Sequence, residues 1–104
     1  MIKLQKKETG GYEFSVHAPS GSPLMKSIDF TTKDDAEKVI VELPKTVITR
    51  TNFERKTEKG GQFVFCLKSN HGNLIGKSGT YSSEAGMENG IKNLKESILA
   101  NQAG

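Results

Sequence analysis

Few residues of this chain could do chemistry: one cysteine, two histidines, several serines beside glycines, and lysines interleaved with acids. The run Gly72-Asn73-Leu74-Ile75-Gly76-Lys77-Ser78 has the outline of a phosphate loop, in which successive backbone N–H groups ring a phosphate and a lysine opens a helix. That loop needs four residues between its glycines and this run has three. Leu74–Ser78 also reads as a strand, with the helix beginning several residues later. Cys66 and His71 stand five apart, but a thiol nucleophile needs a base beside it and a third group to orient that base. Cys66 alternates with Phe65 and Leu67 along a strand, whereas His71 falls in a turn. Structural zinc asks for four Cys or His ligands, one more than the chain contains. Asp34-Asp35 opens a helix, where the dipole explains the acids better than acid–base work does. No catalytic residue, metal or cofactor is expected.

Two constellations survive. Ser78, Thr80, Ser82 and Ser83 bring hydroxyls to the start of a helix, with Lys77 nearby, and free N–H groups at helix starts take anions. The plainer alternative is that Ser82 and Ser83 cap that helix, and Glu84 in its first turn weakens the anion case. The second constellation is a sheet face. If the aromatics of two strands face the helices, then Val64, Cys66 and Lys68, with Glu13 and His17, form the reverse face. A sheet covered on one side leaves that face wet and mixed, suited to weak protein or nucleic-acid contacts, or simply solvated.

The frame that positions these residues is small. The chain has 104 residues, 34% hydrophobic and 26% charged, with a negative mean hydropathy. That suits one globular domain burying roughly two thirds of its unfolded surface, and neither wholesale disorder nor membrane residence. No apolar window is long enough to span a bilayer, and the start Met1-Ile2-Lys3-Leu4-Gln5-Lys6-Lys7 lacks a secretory apolar segment. One thiol permits no internal disulfide, so a reducing, cytoplasmic compartment is expected. The net charge is +3, with eight basic and seven acidic residues in 1–50 and seven and five in 51–104. Neither half is a basic arm. With two arginines and no tryptophan, base reading and stacking have little to work with.

The chain resembles itself. Shifting it by 51 positions aligns Gly10 with Gly61, Phe14 with Phe65, Gly21 with Gly72, Lys26 with Lys77, Ser27 with Ser78, Glu37 with Glu88, Ile40 with Ile91 and Leu43 with Leu94, without a gap. Tyr12/Phe63, Val16/Leu67 and Phe30/Tyr81 are conservative partners. The pattern predicts a tandem duplication, with repeat one over 1–51 and repeat two over 52–104. In each, an extended segment meets a glycine turn. A strand follows in which Tyr12, Phe14 and Val16, or Phe63, Phe65 and Leu67, share one face. After a second turn come a short third strand and a helix.

The first helix is expected to be capped by Thr32, to bury Ala36, Val39, Ile40 and Leu43 at helical spacing, and to stop at Pro44. The second buries Met87, Ile91, Leu94 and Ile98. Gly86 and Gly90 each cost about 1 kcal/mol of helix propensity against alanine, which a close backbone approach would offset. Residues 45–52 are rich in β-branched side chains and read as another strand. Units of about 50 residues are marginal alone. The expected fold class is therefore α+β: one composite domain over 1–104 with a pseudo-twofold, its two helices on one face of a shared antiparallel sheet.

The run 61–98, with Tyr81-Ser82-Ser83, Ala85-Gly86 and Asn89-Gly90-Ile91, resembles the YegP-like family of small uncharacterised proteins. Phe30-Thr31-Thr32, Asp34-Asp35 and Lys38-Val39 replace those elements in the diverged first half. The resemblance implies a β₃-α-β unit present twice, with a short strand after each helix exchanged between copies. Thr46–Thr51 fits that strand in the first copy, whereas Ala100-Asn101-Gln102-Ala103-Gly104 has no strand character. It brings no established enzymatic activity with it and leaves function open. The expectation is a non-enzymatic binding or interaction module, monomeric and away from membranes. Its partner would be protein or nucleic acid, the latter met by the sheet face and lysines such as Lys68 and Lys77. A phosphorylated small molecule at the second helix start is the third reading.

Overall fold

The computed structural model describes residues 1–103, with side chains for 1–100. Strands β1 (Ile2–Lys6), β2 (Tyr12–His17) and β3 (Pro23–Ser27) precede helix α1 (Lys33–Val47). A 3₁₀ turn (Arg50–Asn52) leads to β4 (Phe53–Thr57), β5 (Phe63–Lys68), β6 (Leu74–Lys77) and helix α2 (Glu84–Ala103). The strands form one antiparallel sheet in the order β1-β2-β3-β6-β5-β4. That order reads the same from either edge when the first three strands are exchanged for the last three.

Alternation builds β2 and β5. Phe14 and Val16, like Phe65 and Leu67, are fully buried toward the helices. The turns after these strands need a left-handed residue, which Gly21 and Gly72 supply at φ +94° and +85°. Two serines then replace the backbone ladder where β3 and β6 end. The Phe14 N–H donates to Ser27 Oγ at 2.8 Å and the Phe65 N–H to Ser78 Oγ at 2.9 Å. Each hydroxyl donates onward, to the carbonyls of Ile28 and Gly79, both at 2.8 Å. Single bridges Tyr12–Phe30 and Phe63–Tyr81 follow.

Each helix opens on a hydroxyl cap. Thr32 Oγ1 accepts from the Asp35 N–H at 3.1 Å and Ser83 Oγ from the Gly86 N–H at 3.0 Å. The apolar stripes of α1 and α2 then join the inward sheet residues in one core that includes Phe14, Val16, Leu43, Val47, Phe65, Leu67, Leu94 and Ile98. Both helices therefore lie on the same side of the sheet.

The end of α1 departs from expectation. Pro44 lies inside the helix, which runs on to Val47, and residues 45–52 form its last turn and a 3₁₀ turn rather than a strand. Proline deprives the Ile40 carbonyl of a donor, but Leu43 and Val47 are both fully buried and continue the apolar stripe through it. Thr46 Oγ1 donates to the Glu42 carbonyl at 2.9 Å. Buried Asn52 then holds the helix end, its Nδ2 donating to the Thr46 carbonyl at 3.0 Å and to Asn70 Oδ1 at 2.7 Å. Burial of Val47 outweighs the β-propensity of its neighbours, so Thr46–Thr51 supplies no exchanged strand. At the other end α2 extends through Ala103, and residue 104 lies outside the described residues.

Gly90 is explained by a side chain rather than by the expected backbone approach. A Cβ there would lie 2.5 Å from Tyr81 Cζ, and one at Gly86 would meet Ser83 Oγ at 3.1 Å. The Tyr81 ring lies flat along α2 and stacks on Phe65 at 6.4 Å. Gly90→Ala should therefore destabilise the fold by about 1–2 kcal/mol despite the better helix propensity. In a Tyr81→Ala background the same change should stabilise it, as paired urea midpoints would reveal.

Candidate functional site

The helix-free face of the sheet is set by register. One row crosses all six strands: Lys3 opposite Ser15, Ser15 opposite Lys26, Lys26 opposite Lys77, Lys77 opposite Cys66, and Cys66 opposite Glu54. Residues paired this way share a face with their Cβ atoms about 5 Å apart. Lys26 and Lys77 thus meet as like charges at the middle of the sheet, where β3 pairs with β6. Their side chains are 68% and 50% exposed.

The two ends of the row differ. Over β4 and β5 the face is closed. Glu54 bridges Lys68 at 2.8 Å and Lys56 at 3.0 Å, and Lys77 reaches Glu58 at 2.9 Å. Val64 and Cys66 lie buried on this side of β5, where Lys56, Glu54 and Lys77 are their cross-strand neighbours. The aliphatic stems of such lysines cover apolar surface while their heads stay in water. Hydrogen bonds from Lys68 and Lys56 hold the Glu54 carboxyl below the usual carboxylate range.

Over β1, β2 and β3 the face is open. A hollow of about 570 Å³ is lined by Lys3, Gln5, Glu13, Ser15, His17, Lys26 and Lys77 above Leu24 and Met25. Its interior is hydrogen-bonded through His17. His17 Nδ1 lies 3.2 Å from the Gly21 carbonyl, which can only accept, so Nδ1 carries a proton. Nε2 is hydrogen-bonded to the Ser15 hydroxyl at 2.8 Å. Glu13 lies 3.5 Å from Lys26 and 3.9 Å from Lys7. Lys3 has no carboxylate partner among the described residues.

The expected constellations are redistributed accordingly. Of the hydroxyl cluster, Ser78 is buried and fully engaged by the backbone, and Ser83 caps α2. Ser82 and Thr80 are exposed. Lys77 is on the helix-free face, in register with Cys66, and Ser78 is turned inward against the Phe65 N–H. On the helix-free face Glu13, His17 and Lys68 are half-buried, and Val64 and Cys66, expected there in a wet setting, are only 1% and 4% exposed. The ion pairs that cover them could not be read from alternation alone. His71 is exposed in the β5–β6 turn, away from the buried run that holds Cys66. Sequence reasoning missed Lys3, Ser15 and Lys26. Among the described residues, no group of three or more His, Cys, Asp or Glu side chains could hold a metal ion, and no helix is long and apolar enough to cross a membrane.

Comparison with known proteins places this architecture. Residues 58–100 match the model of a domain of unknown function, DUF1508. The UPF0339 protein PA0329 of Pseudomonas aeruginosa is 33% identical over 92 residues, covering 88% of this chain and 84% of that protein. The chain belongs to the UPF0339 family. The UPF0339 protein YegP of Escherichia coli is 30% identical over 94 residues, 90% of this chain and 86% of its own. The solution structure of the UPF0339 protein SO3888 from Shewanella oneidensis superposes with a TM-score of 0.88 at 27% identity, over 93% of this chain and 82% of that one. That of yegP from E. coli gives 0.87 at 29% identity, over 93% and 84%. UPF0339 membership thus accounts for the six-stranded sheet with two helices, and the UPF0339 relatives are themselves of unknown function.

Ser78→Ala should cost about 1–3 kcal/mol in urea denaturation, because it strands a buried N–H. Glu54 has a depressed folded-state pKa, so its contribution is present at neutral pH and lost as pH falls through that lowered value. The stability difference between wild type and Glu54→Gln should therefore shrink on acidification, measured by urea melts from neutral pH into strong acid.

Proposed function

We propose that the protein is a small, non-enzymatic binding module whose recognition surface is the open half of the helix-free face, and whose ligand carries negative charge. The observation that carries this reading is the direct opposition of Lys26 and Lys77 at the centre of the sheet. Like charges paired across strands are destabilising. Their carboxylate partners, Glu13 and Glu58, stand to the outer sides, and a bound anion between the two ammonium groups would relieve the repulsion. Lys3, with no such partner among the described residues, adds to the field at the other side of Ser15.

The reading has a structural corollary. We take the two halves as copies of one unit within a single domain over 1–104, acting as a monomer, in which one copy closed its face with ion pairs and the other left it open. Recurrence of the same serine, bridge and cap contacts 51 residues apart supports that view. A lone buried thiol accords with a reducing, cytoplasmic setting.

Weak nucleic-acid binding is the second reading, favoured by five lysines on one face: Lys3, Lys26, Lys56, Lys68 and Lys77. Three of these are held in ion pairs with Glu54 and Glu58, which argues for a compact ligand over a long phosphate backbone. An amide-resolved NMR titration of the full chain with sodium phosphate, against sodium chloride at equal ionic strength, tests the first reading. Saturable shifts at Ser15, Lys26 and Lys77 are expected with phosphate only, and their absence would end it. A parallel titration with single-stranded RNA that binds more tightly and weakens steeply with salt would favour the second.

A further inference from the structure

The open hollow is larger and chemically more varied than an anion seat alone requires. We infer, resting on the anion-binding reading above, that its ligand is a small phosphorylated polyol. The phosphoryl group would sit between Lys26 and Lys77, with the hydroxyl-bearing body lying toward β1.

Lys26 and Lys77 are adjacent across the β3–β6 pair, so two ammonium groups can converge on one dianion, each bond charge-assisted. From there toward β1 the lining sets the neutral hydrogen-bonding groups of Gln5 and Ser15 among the charged Glu13 and Lys3. Gln5 offers an amide that both donates and accepts. The Ser15 hydroxyl is hydrogen-bonded to His17 Nε2 and its oxygen keeps a further lone pair for a ligand O–H. Opposite Gln5 in register is Glu13, whose side chain is only 16% exposed. A carboxylate so placed accepts from a hydroxyl at little further desolvation cost. These groups match a body bearing several hydroxyls, which both donate and accept.

The same lining disfavours a nucleobase. Apart from the half-buried His17 imidazole, whose two nitrogens face the Ser15 hydroxyl and the Gly21 carbonyl, the one aromatic ring bordering the hollow is Phe14, which is fully buried beneath it, so no phenyl or phenol ring is available for a base to stack on. A volume of about 570 Å³ falls within the usual range for small-molecule sites, leaving room beyond a phosphoryl group for such a body.

The test uses the full chain with three probes: glucose 6-phosphate, inorganic phosphate and glucose. Amide shifts and isothermal titration are recorded in low-salt buffer. Glucose 6-phosphate is expected to bind at least tenfold more tightly than inorganic phosphate, and glucose at least tenfold more weakly than glucose 6-phosphate. Lys77→Gln should weaken both phosphate ligands at least fivefold. Gln5→Ala and Ser15→Ala should weaken glucose 6-phosphate alone. Lys38→Gln on the outer side of α1 should change nothing. Spectra of each variant verify that it is folded, and Lys26→Gln repeats the cation test should Lys77→Gln unfold. Equal affinity for inorganic phosphate and glucose 6-phosphate would overturn the polyol inference while leaving the anion seat intact. Silence of the hollow toward both phosphates would overturn the two together.

Discussion

The two halves of this protein share one sheet through a very short seam. β3 and β6 pair at Lys26–Lys77 and Ser27–Gly76, extended by the Ile28 N–H donating to the Ile75 carbonyl at 2.8 Å. A Cβ at Gly76 would lie 2.7 Å from the Lys26 carbonyl oxygen, closer than a bonded side chain can stay. Only glycine lets the strands approach, and only their approach makes the sheet six-stranded. The core depends on this, because Phe14 and Val16 from one side of the seam join Phe65 and Leu67 from the other in one apolar cluster under both helices. The polar face depends on it too, since the seam sets Lys26 against Lys77.

Much of the fold is legible in the amino-acid order because it is locally determined. Alternation in Tyr12–His17 and Phe63–Lys68, turn glycines at 21 and 72, and hydroxyl caps at 32 and 83 each act within a few residues of themselves. The end of α1 is different. Thr46, Val47, Ile48 and Thr49 favour extended structure by type, and Pro44 argues for a stop. What decides the matter is that Val47 falls on the buried side of α1 and that Asn52 reaches both Thr46 and Asn70. Both facts are tertiary. Gly90 marked a close approach correctly, but its partner turned out to be the Tyr81 ring.

The candidate site was less legible, for a related reason. Glu13 and His17 follow from alternation, and so does their face. Lys3, Ser15 and Lys26 become one cluster only once β1, β2 and β3 are placed side by side in register. Lys77 joins them only through the β3–β6 seam. The same blindness misplaced Val64 and Cys66 in solvent. Their shield is an ion-pair lattice of Glu54, Lys56, Lys68, Lys77 and Glu58, contributed by three segments of chain. Positions 51 apart therefore carry different surfaces: Glu13, Ser15 and His17 in the first half, Val64, Cys66 and Lys68 in the second.

The chain has no tryptophan and two tyrosines, and one of them, Tyr81, lies along α2 with its ring over Gly90. Burial pushes its phenol pKa upward. The ring is thus a native optical gauge of whether the second helix is seated on the sheet. Its ultraviolet absorbance and emission respond to loss of that contact, so docking of α2 can be followed without attaching any dye.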